Sequence, residues 1–405
     1  MFTRMISGAS ARRLPTIASR LPTANSALKQ PIRRYAGSYQ DTFQTPESGF
    51  KALYQRNRVS FLLFFAVCTT TLVAGGYGMY LYNELVEKPL SVYPKPVQKA
   101  IKSALFYASR GDMGSMAAAF KEAISEAEKS GMHPLSNEVA GLKIECAQLL
   151  LKLKNGEYAD KAVIVLERVL DEDAAGAEYY MKQERWADRN TVLKRAILLG
   201  YKIGEMYQTL GKDKEAEEAM SWSTTKLLEE DKRRETTDPS KWGGEWFDDH
   251  AKSACFEKLA QQYLMSGKFN LATPLYLQAA SLVTPNTCHQ VTLLNNLAAC
   301  LSKQSPPANS DGKKVKTHLQ EDAKKWAEKA LELANKIVPP VRTAECDEAC
   351  VTATHNLGEI ARMMGQHELA RRKFEEAGSL ARGLNMQEGV EMANEGLALL
   401  MDKEK

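Results

Sequence analysis

The side chains best suited to chemistry do not converge anywhere in the sequence. It contains six histidines that are isolated from one another: His133, His250, His289, His318, His355 and His367. There is no HExxH motif for zinc and no glycine-rich loop for phosphate. The most suggestive polar run is Asp248-Asp249-His250, but three adjacent residues of a helix point in different directions. We interpret this run as the start of a helix, and we expect a protein that is not an enzyme and that binds neither a metal nor a cofactor.

The seven cysteines likewise form no recognisable metal-binding or disulfide framework. Cys68 lies in an apolar run, and four others are widely spaced: Cys146, Cys255, Cys288 and Cys300. Cys346 and Cys350 are close enough in sequence to share one face of a helix. Two interpretations stay open for them, a pair of small buried thiols or a disulfide to another helix, and spacing alone identifies no partner.

Composition and charge indicate a folded protein with no preference for nucleic acid. The chain has 405 residues, of which 44% are hydrophobic, enough to bury a substantial core. Residues 1–40 contain seven basic and no acidic residues; without them, 47 basic residues stand against 50 acidic ones. Because phosphate neutralisation needs clustered Lys and Arg, this balance gives no reason to expect a nucleic-acid ligand.

The N-terminal residues are typical of a mitochondrial transit peptide. Residues 1–40 are rich in Arg and Ser, free of acid, and lack the continuous apolar core of a secretory signal. The sequence Arg33-Arg34-Tyr35-Ala36 resembles a matrix-processing site. We therefore predict a transit peptide over 1–35 and a short matrix-facing arm over 36–58, with a disordered basic tail as the alternative.

The next segment is long and apolar enough to cross a membrane. The 25 residues from Val59 to Asn83 carry no formal charge, and that length spans the hydrocarbon core of about 30 Å. Basic residues precede it (Lys51, Arg56 and Arg58), and the basic flank marks the side that is not translocated. With the transit peptide, this predicts a single-pass protein of the mitochondrial inner membrane, with its N-terminus in the matrix and its remainder in the intermembrane space.

Ala74 and Gly78 form a small-xxx-small pair within this segment. Such a pair lets a second membrane helix approach closely, although small residues are common in membrane helices in general. We predict that these two residues contact a partner helix.

From residue 94 onwards the sequence predicts one helix after another. Apolar residues recur at three- and four-residue spacings, and no strand pattern of any length is present. Small residues, aromatics and glycines also recur in the order that is typical of tetratricopeptide repeats, whose period is about 34 residues. The predicted fold class is all-α: a single N-terminal transmembrane helix followed by a tetratricopeptide-type α-solenoid of about six helical pairs over 94–405.

Four units fit the repeat template well, and one of them surrounds Gly111. Small residues let the two helices of a pair approach, and a glycine turns the chain between them. The residues that define the other three units are Gly204, Tyr207, Gly211, Ala216, Ala260, Tyr263, Gly267, Ala272, Gly358, Gly365, Ala370 and Phe374.

Two weaker units fill the gaps, one through residues 149–166 and one through residues 297–330. The second is split by residues 302–318, whose prolines, glycine and lysines predict an exposed loop. A helix over about 387–401 is the candidate cap. The first helices of such a stack line one concave face, which is the expected ligand site.

The segment from Trp242 to Phe247 (WGGEWF) concentrates aromatics and glycines between two well-formed units. Because large aromatics are mostly buried, we interpret it as a loop folded back over the stack, with Trp242 and Trp246 filling a gap. The alternative is an exposed aromatic anchor, which makes the same two tryptophans candidate partner-binding residues.

Some tetratricopeptide domains bind a chaperone's C-terminal carboxylate through Lys and Asn on successive first helices. Asn296 occupies one such position, but Glu257 and Gln261 stand where the preceding unit would present Lys and Asn. Thr352 and Asn356 stand where the next unit would present two basic residues. We therefore expect extended or unfolded segments in the groove in place of chaperone tails.

The segments Gly131–Val139 (GMHPLSNEV) and Gly141–Ile144 (GLKI) resemble the tetratricopeptide adaptor subunit of the mitochondrial inner-membrane i-AAA protease supercomplex. The resemblance runs from about residue 53 to the end. It implies a non-catalytic subunit that, with a second membrane adaptor, binds the ATP-dependent metalloprotease and delivers unfolded or misassembled client proteins to it. The ATPase and the zinc site would then belong to the partner. The alternative is an assembly or maintenance factor for an inner-membrane respiratory complex.

Overall fold

The computed structural model describes residues 58–308 and 311–401. The predicted transit peptide and the predicted matrix arm up to residue 57 lie outside the described residues. The described residues form helices and no strands, which confirms the all-α class. Contacts divide the chain into two units, Met1–Tyr80 and Leu81–Lys405.

Helix α1 spans Arg58–Tyr82. Among the described residues, one helical stretch is long and apolar enough to cross a membrane, namely Leu62–Leu90, with a mean hydropathy of 1.6. The hydroxyls of Thr70 and Thr71 donate to backbone carbonyl oxygens four residues earlier, at 2.7 and 2.8 Å. These polar groups are therefore satisfied inside the helix, as a hydrocarbon environment requires.

The helix continues beyond Tyr82 through a wide turn, Asn83–Glu87, and a last short turn, Lys88–Leu90. Leu90 is buried in an apolar cluster with Val97 and Ile101 of the first repeat. Glu87 forms an ion pair with Lys102, whose Nζ lies 2.5 Å from Oε1. This continuation is therefore part of the core of the first repeat.

The described residues after this stretch form six pairs of helices, numbered here as repeats 1 to 6, which is the predicted number. Each pair packs against the next along the chain, and a final helix, α14 (Gln387–Met401), packs on both helices of repeat 6 at the predicted cap position. The pairs are α2 Lys95–Ser109 with α3 Met113–Lys129, α4 Asn137–Lys152 with α5 Ala159–Lys182, α6 Trp186–Thr209 with α7 Asp213–Thr236, α8 Asp249–Met265 with α9 Phe269–Leu282, α10 Cys288–Lys303 with α11 Gly312–Lys336, and α12 Ala344–Met363 with α13 His367–Gly383.

Glycines turn the chain between the two helices of repeats 1, 3, 4 and 6. These glycines, Gly111, Gly211, Gly267 and Gly365, have φ values between 69° and 76°. Residues with a side chain rarely adopt this left-handed conformation, so glycine is the natural residue at each turn.

Small residues inside the helices allow close packing. A Cβ on Gly204 would lie 2.5 Å from Met220 Cγ, and one on Gly358 would lie 2.7 Å from Phe374 Cε1. The repeat alanines Ala216, Ala260, Ala272 and Ala370 are fully buried. The space that these small residues leave is filled by large side chains of the partner helix, such as Phe374.

The predicted exposed loop over 302–318 is too long. Helix α10 continues to Lys303, and α11 already begins at Gly312. Asp311 caps α11 by accepting a hydrogen bond from the Lys314 backbone N–H at 3.4 Å. The lysines that suggested a loop are good helix formers, and they lie in the exposed first turns of α11.

Candidate binding groove

An open groove runs along the first helices of the last three repeats and the cap helix. We call it the repeat 4–6 groove. It lies on the first helices, where the ligand site is expected. It is lined by Leu264, Phe269, Thr292, Asn295, Asn296, Ala299, Lys303, Glu345, Glu348, Ala349, Thr352, Asn356, Met386 and Met392.

Two asparagines of this groove, Asn295 and Asn356, have a structural role. Asn295 is buried, and its Nδ2 donates to Thr352 Oγ1 at 3.1 Å. Asn356 Nδ2 donates to Asn295 Oδ1 at 2.9 Å. These two bonds join α10 to α12 and set the distance between the two first helices.

Other polar groups of the groove are free to bind a ligand. Asn296 is half-buried, and its amide bonds to none of the described residues. Lys303 and Glu348 are exposed at the groove and add one charge of each sign. Met386 and Met392 supply flexible apolar surface. The groove therefore combines a free amide with adaptable apolar side chains and has little net charge.

His289 bridges three successive first helices at one end of the groove. Its Nε2 lies 3.2 Å from Glu257 on α8, and its Nδ1 lies 3.1 Å from Glu345 on α12. The hydrogen bond with Glu257 chiefly raises the pKa of His289 to about 9, with a smaller contribution from Glu345. The imidazolium is therefore charged at neutral pH and links α8, α10 and α12.

A disulfide lies beside this histidine and joins Cys288 of α10 to Cys346 of α12. Cys350 is a free thiol. The open question about Cys346 is thus answered in favour of a disulfide to another helix. Sequence reasoning missed Cys288 as its partner, although both cysteines lie in the first turn of the first helix of consecutive repeats. Aligning the repeats by their helix starts would have brought them together.

The residues compared with a chaperone clamp have other roles. Glu257 binds His289, and Gln261 Oε1 accepts a hydrogen bond from the Tyr276 hydroxyl at 2.8 Å. Thr352 and Asn356 belong to the amide network described above. Asn296 is the member of this set whose amide is free among the described residues.

The segment around Trp242 is folded back onto repeat 3. The Trp242 Nε1 donates to the carbonyl oxygens of Arg234 and Thr237, at 3.1 and 3.2 Å. The Trp246 ring packs edge-on against Phe247, with centroids 4.9 Å apart, and lies 4.7 Å from the Arg234 guanidinium carbon. Both tryptophans are half-buried, as the folded-loop interpretation requires. A role for them in partner binding stays a prediction.

A buried charge cluster holds this loop. Arg234 donates to the carbonyl oxygens of Trp242 and Gly244, at 2.8 and 3.1 Å, and to Glu230. Burial alone would raise the pKa of Glu230, but hydrogen bonds from Arg233 and Arg189 hold that pKa below its usual value. The carboxylate is therefore ionised and neutralised by arginines on two helices.

The predicted membrane contact residues lie on α1. Ala74 and Gly78 are exposed, and a Cβ on Gly78 would meet nothing within 4 Å. Both positions are therefore open to a neighbouring helix, and the contact itself stays a prediction.

The run Asp248-Asp249-His250 starts a helix, as interpreted. Asp248 caps α8 by accepting a hydrogen bond from the Ala251 backbone N–H at 2.7 Å. Within the described ranges, no group of three or more His, Cys, Asp or Glu residues is arranged to hold a metal ion.

Comparison with known proteins relates this chain to other repeat proteins in sequence and in structure. It is 28% identical over 293 residues to a TPR repeat-containing protein of Schizosaccharomyces pombe, which covers 71% of this chain and 73% of the relative. No protein-family model matches the sequence. Among solved structures, kinesin light chain TPR-like repeats of Podosopora anserina cover 63% of this chain and 99% of their own, with 16% identity and a TM-score of 0.40. A tetratricopeptide repeat protein of Parabacteroides merdae covers 74% of this chain and 99% of its own, with 14% identity and a TM-score of 0.27.

Both TM-scores are low, so these two structures add nothing to the case for the fold. The fold is identified by the helix pairs, by the glycines that turn the chain between them, and by the small residues that let the helices pack closely. These features give the chain a tetratricopeptide-type helical-repeat fold, and its sequence is similar to that of the S. pombe relative.

Proposed function

We propose that this protein is a non-catalytic, membrane-anchored adaptor that binds unfolded or misassembled proteins and presents them to the i-AAA metalloprotease of the mitochondrial inner membrane. The observation that supports it best is the repeat 4–6 groove, which has a free amide and flexible apolar side chains, on a chain that also has a helix able to cross a membrane. The resemblance of residues 131–144 supports the protease and a second membrane adaptor subunit as partners.

The groove suits an extended polypeptide for a simple chemical reason. An unfolded segment exposes backbone N–H and C=O groups, and the amide of Asn296 can donate to one and accept from the other. Met386 and Met392 can adapt to side chains of different shape. Glu345 is paired with His289, which leaves one positive and one negative side chain, Lys303 and Glu348, at the edge of the groove. The groove therefore selects for an extended backbone more than for a particular sequence.

The proposed location places α1 in the inner membrane, with the short arm predicted over residues 36–58 in the matrix and the repeats in the intermembrane space. The basic residues before α1 support this orientation. Protease treatment of mitoplasts that carry a C-terminal tag on the chain tests the orientation. We expect the tag to be digested once the outer membrane is opened, and protection of the tag would contradict the proposal.

Affinity purification from mild detergent, followed by mass spectrometry, tests the partner. We expect the full-length protein to recover a large complex that contains an ATP-dependent metalloprotease and a second membrane adaptor. Recovery of respiratory-complex subunits without the protease would contradict this function and favour the alternative, an assembly or maintenance factor.

A further inference from the structure

Helix α2 presents a basic face directly after the membrane-spanning helix. From residue 88 to residue 111 the sequence has no acidic residue and five basic ones: Lys88, Lys95, Lys99, Lys102 and Arg110. Lys95 and Lys99 are exposed, and neither forms an ion pair with any of the described residues. These two lysines are therefore uncompensated positive charges.

The exposed residues share one side of α2. One helical face holds the exposed Lys95, Lys99, Phe106 and Arg110, with the half-buried Ser103 between them, at spacings of three or four residues. Arg110 directly follows the last residue of α2. The residues packed into the repeat core lie on the other side, namely Val97, Ala100, Ile101 and Ala104. The α2 basic face, as we call it, thus combines cationic side chains with an aromatic ring.

Phe106 is an unusual residue for a solvent-facing position. Its side chain is 51% exposed, and the Arg110 guanidinium carbon lies 4.5 Å from its ring centroid. A large aromatic ring beside cationic groups is typical of helices that lie at a membrane interface.

The α2 basic face follows the apolar helix closely along the sequence, since α2 begins 13 positions after Tyr82. Lys102 is paired with Glu87, which is only five residues beyond Tyr82 in a continuous helical stretch. At about 1.5 Å of rise per residue, that distance is on the order of 10 Å. The candidate membrane span extends to Leu90, which is buried in the core to which α2 belongs.

We propose that the α2 basic face docks onto the anionic phospholipid headgroups of the membrane that α1 crosses. Lys95 and Lys99 contact phosphate groups, and Phe106 inserts at the level of the headgroups. Charge complementarity and tethering by the adjacent membrane helix favour a lipid surface over an acidic protein, because the tether holds the face at a high local concentration of headgroups. The inference rests on the membrane anchoring proposed above.

The test uses the full-length protein in nanodiscs made either of phosphatidylcholine alone or with a fraction of anionic cardiolipin. A water-soluble amine reagent labels exposed lysines, and mass spectrometry reads the extent of labelling at each one. Lys313 and Lys316 of α11 are the matched internal control, since both are exposed, form no ion pair with described residues, and lie more than 200 residues further along the chain.

We expect labelling of Lys95 and Lys99 to fall several-fold in the anionic discs and to recover in high salt, while labelling of Lys313 and Lys316 stays unchanged. Each lysine near an anionic surface contributes roughly fivefold to its binding. A Lys95→Gln variant should therefore lose most of the lipid-dependent shielding of Lys99, and a Lys313→Gln variant should retain it.

Equal labelling of Lys95 and Lys99 in both kinds of disc would overturn the inference, and so would an equal decrease at the control lysines. Shielding in neutral discs that appears only after an acidic protein is added would also overturn it and would assign the face to a protein partner. Incorporation into discs is scored first: a chain that does not enter them contradicts the membrane anchoring, whereas one that enters without shielding contradicts only the docking of α2.

Discussion

At one end of the groove, a disulfide and a charged histidine connect the helices that form its walls. The Cys288–Cys346 disulfide joins α10 to α12 covalently, and His289 joins α10 to both of its neighbouring first helices through charge. Glu345 and Cys346 are adjacent in sequence, as are Cys288 and His289, so the covalent and the ionic links lie side by side.

The ionic link predicts a specific pH dependence. The folded pKa of His289, about 9, is higher than its ordinary value of 6.5. Its contribution to stability is therefore complete below about pH 6.5 and is lost as the pH rises through about 9. We expect the difference in Tm between the native protein and His289→Gln, followed by circular dichroism in mild detergent, to shrink from pH 6 to pH 9.5.

His318→Gln is the control, because His318 is exposed and lies 3.6 Å from a single carboxylate, that of Glu321. A difference in Tm between native protein and His289→Gln that is the same at every pH would show that the histidine stabilises the fold by packing alone.

The covalent link predicts sensitivity to reduction. The disulfide joins residues 58 positions apart, and a bond that closes a loop of that length contributes up to about 4 kcal/mol. We expect Cys288→Ser to lower the Tm by several degrees. Dithiothreitol should lower the Tm of the native protein to the same level and leave that of Cys288→Ser unchanged.

Cys350→Ser serves as the matched control, since Cys350 is a free thiol on the same helix as Cys346. A native protein whose Tm does not respond to reductant would contradict the prediction. Disulfides persist in oxidising compartments, so this bond also supports the proposed placement of the repeats outside the matrix.

At the scale of the helices, stability depends on small residues that accommodate large ones. Phe374 is fully buried, and a Cβ on Gly358 or on Gly396 would come within 2.7 or 2.6 Å of its ring. The ring is thus enclosed by α12 and α14, which joins the last repeat to the cap helix.

Gly358→Ala should therefore destabilise the protein by about 1–3 kcal/mol, because the ring has little room to move. Gly383→Ala is the matched control: that glycine is also helical, its added Cβ would meet nothing within 4 Å, and alanine favours helix. Thermal unfolding of both variants measures the difference. Equal Tm values for the two would contradict the packing described for Phe374.

The helix pairs could be predicted because their determinants are local. Turn glycines such as Gly211 and buried alanines such as Ala260 recur at fixed spacing, so one template finds them. The loop before α11 was predicted too long because Pro306 and Gly312 mark a loop without showing where it ends. That end depends on the capping side chain of Asp311.

The walls of the groove were harder to predict, because their contacts join residues that lie far apart in sequence. The sequence identified Asn296, Thr352 and Asn356 as residues of the first helices, but it gave no sign that Asn295 links two of them. Such contacts depend on the exact register of one repeat against the next, and the repeat template leaves that register open.

At the scale of the whole molecule, the proposed role combines an anchor with a binding surface. A client held by the repeats of an anchored chain is kept close to a protease in the same membrane, which raises its effective concentration without new contacts. Proximity would then be the contribution of this chain, and the chemistry would belong to its partner.

The predicted contact between the membrane helix and the protease can be tested separately from client binding. Ala74→Leu/Gly78→Leu should lower the amount of protease that co-purifies, because bulky residues block the close approach of a second helix. Val73→Leu/Met79→Leu is the control, since Val73 and Met79 are exposed, already large residues of the same helix. Client binding should be unchanged in both variants, and equal recovery of the protease would contradict the predicted helix contact.

The most direct test of the account is site-specific crosslinking of a client in the repeat 4–6 groove. A photo-crosslinking residue is placed in the full-length, membrane-inserted protein at Lys303, which lies in the groove, or at the exposed Asn394, which does not line it. We expect an unfolded polypeptide to crosslink at position 303 and not at position 394, and Asn296→Ala to reduce the crosslink at 303. Equal crosslinking at the two positions, or crosslinking at 303 that is unaffected by Asn296→Ala and equally strong with the folded form of the client, would contradict the account.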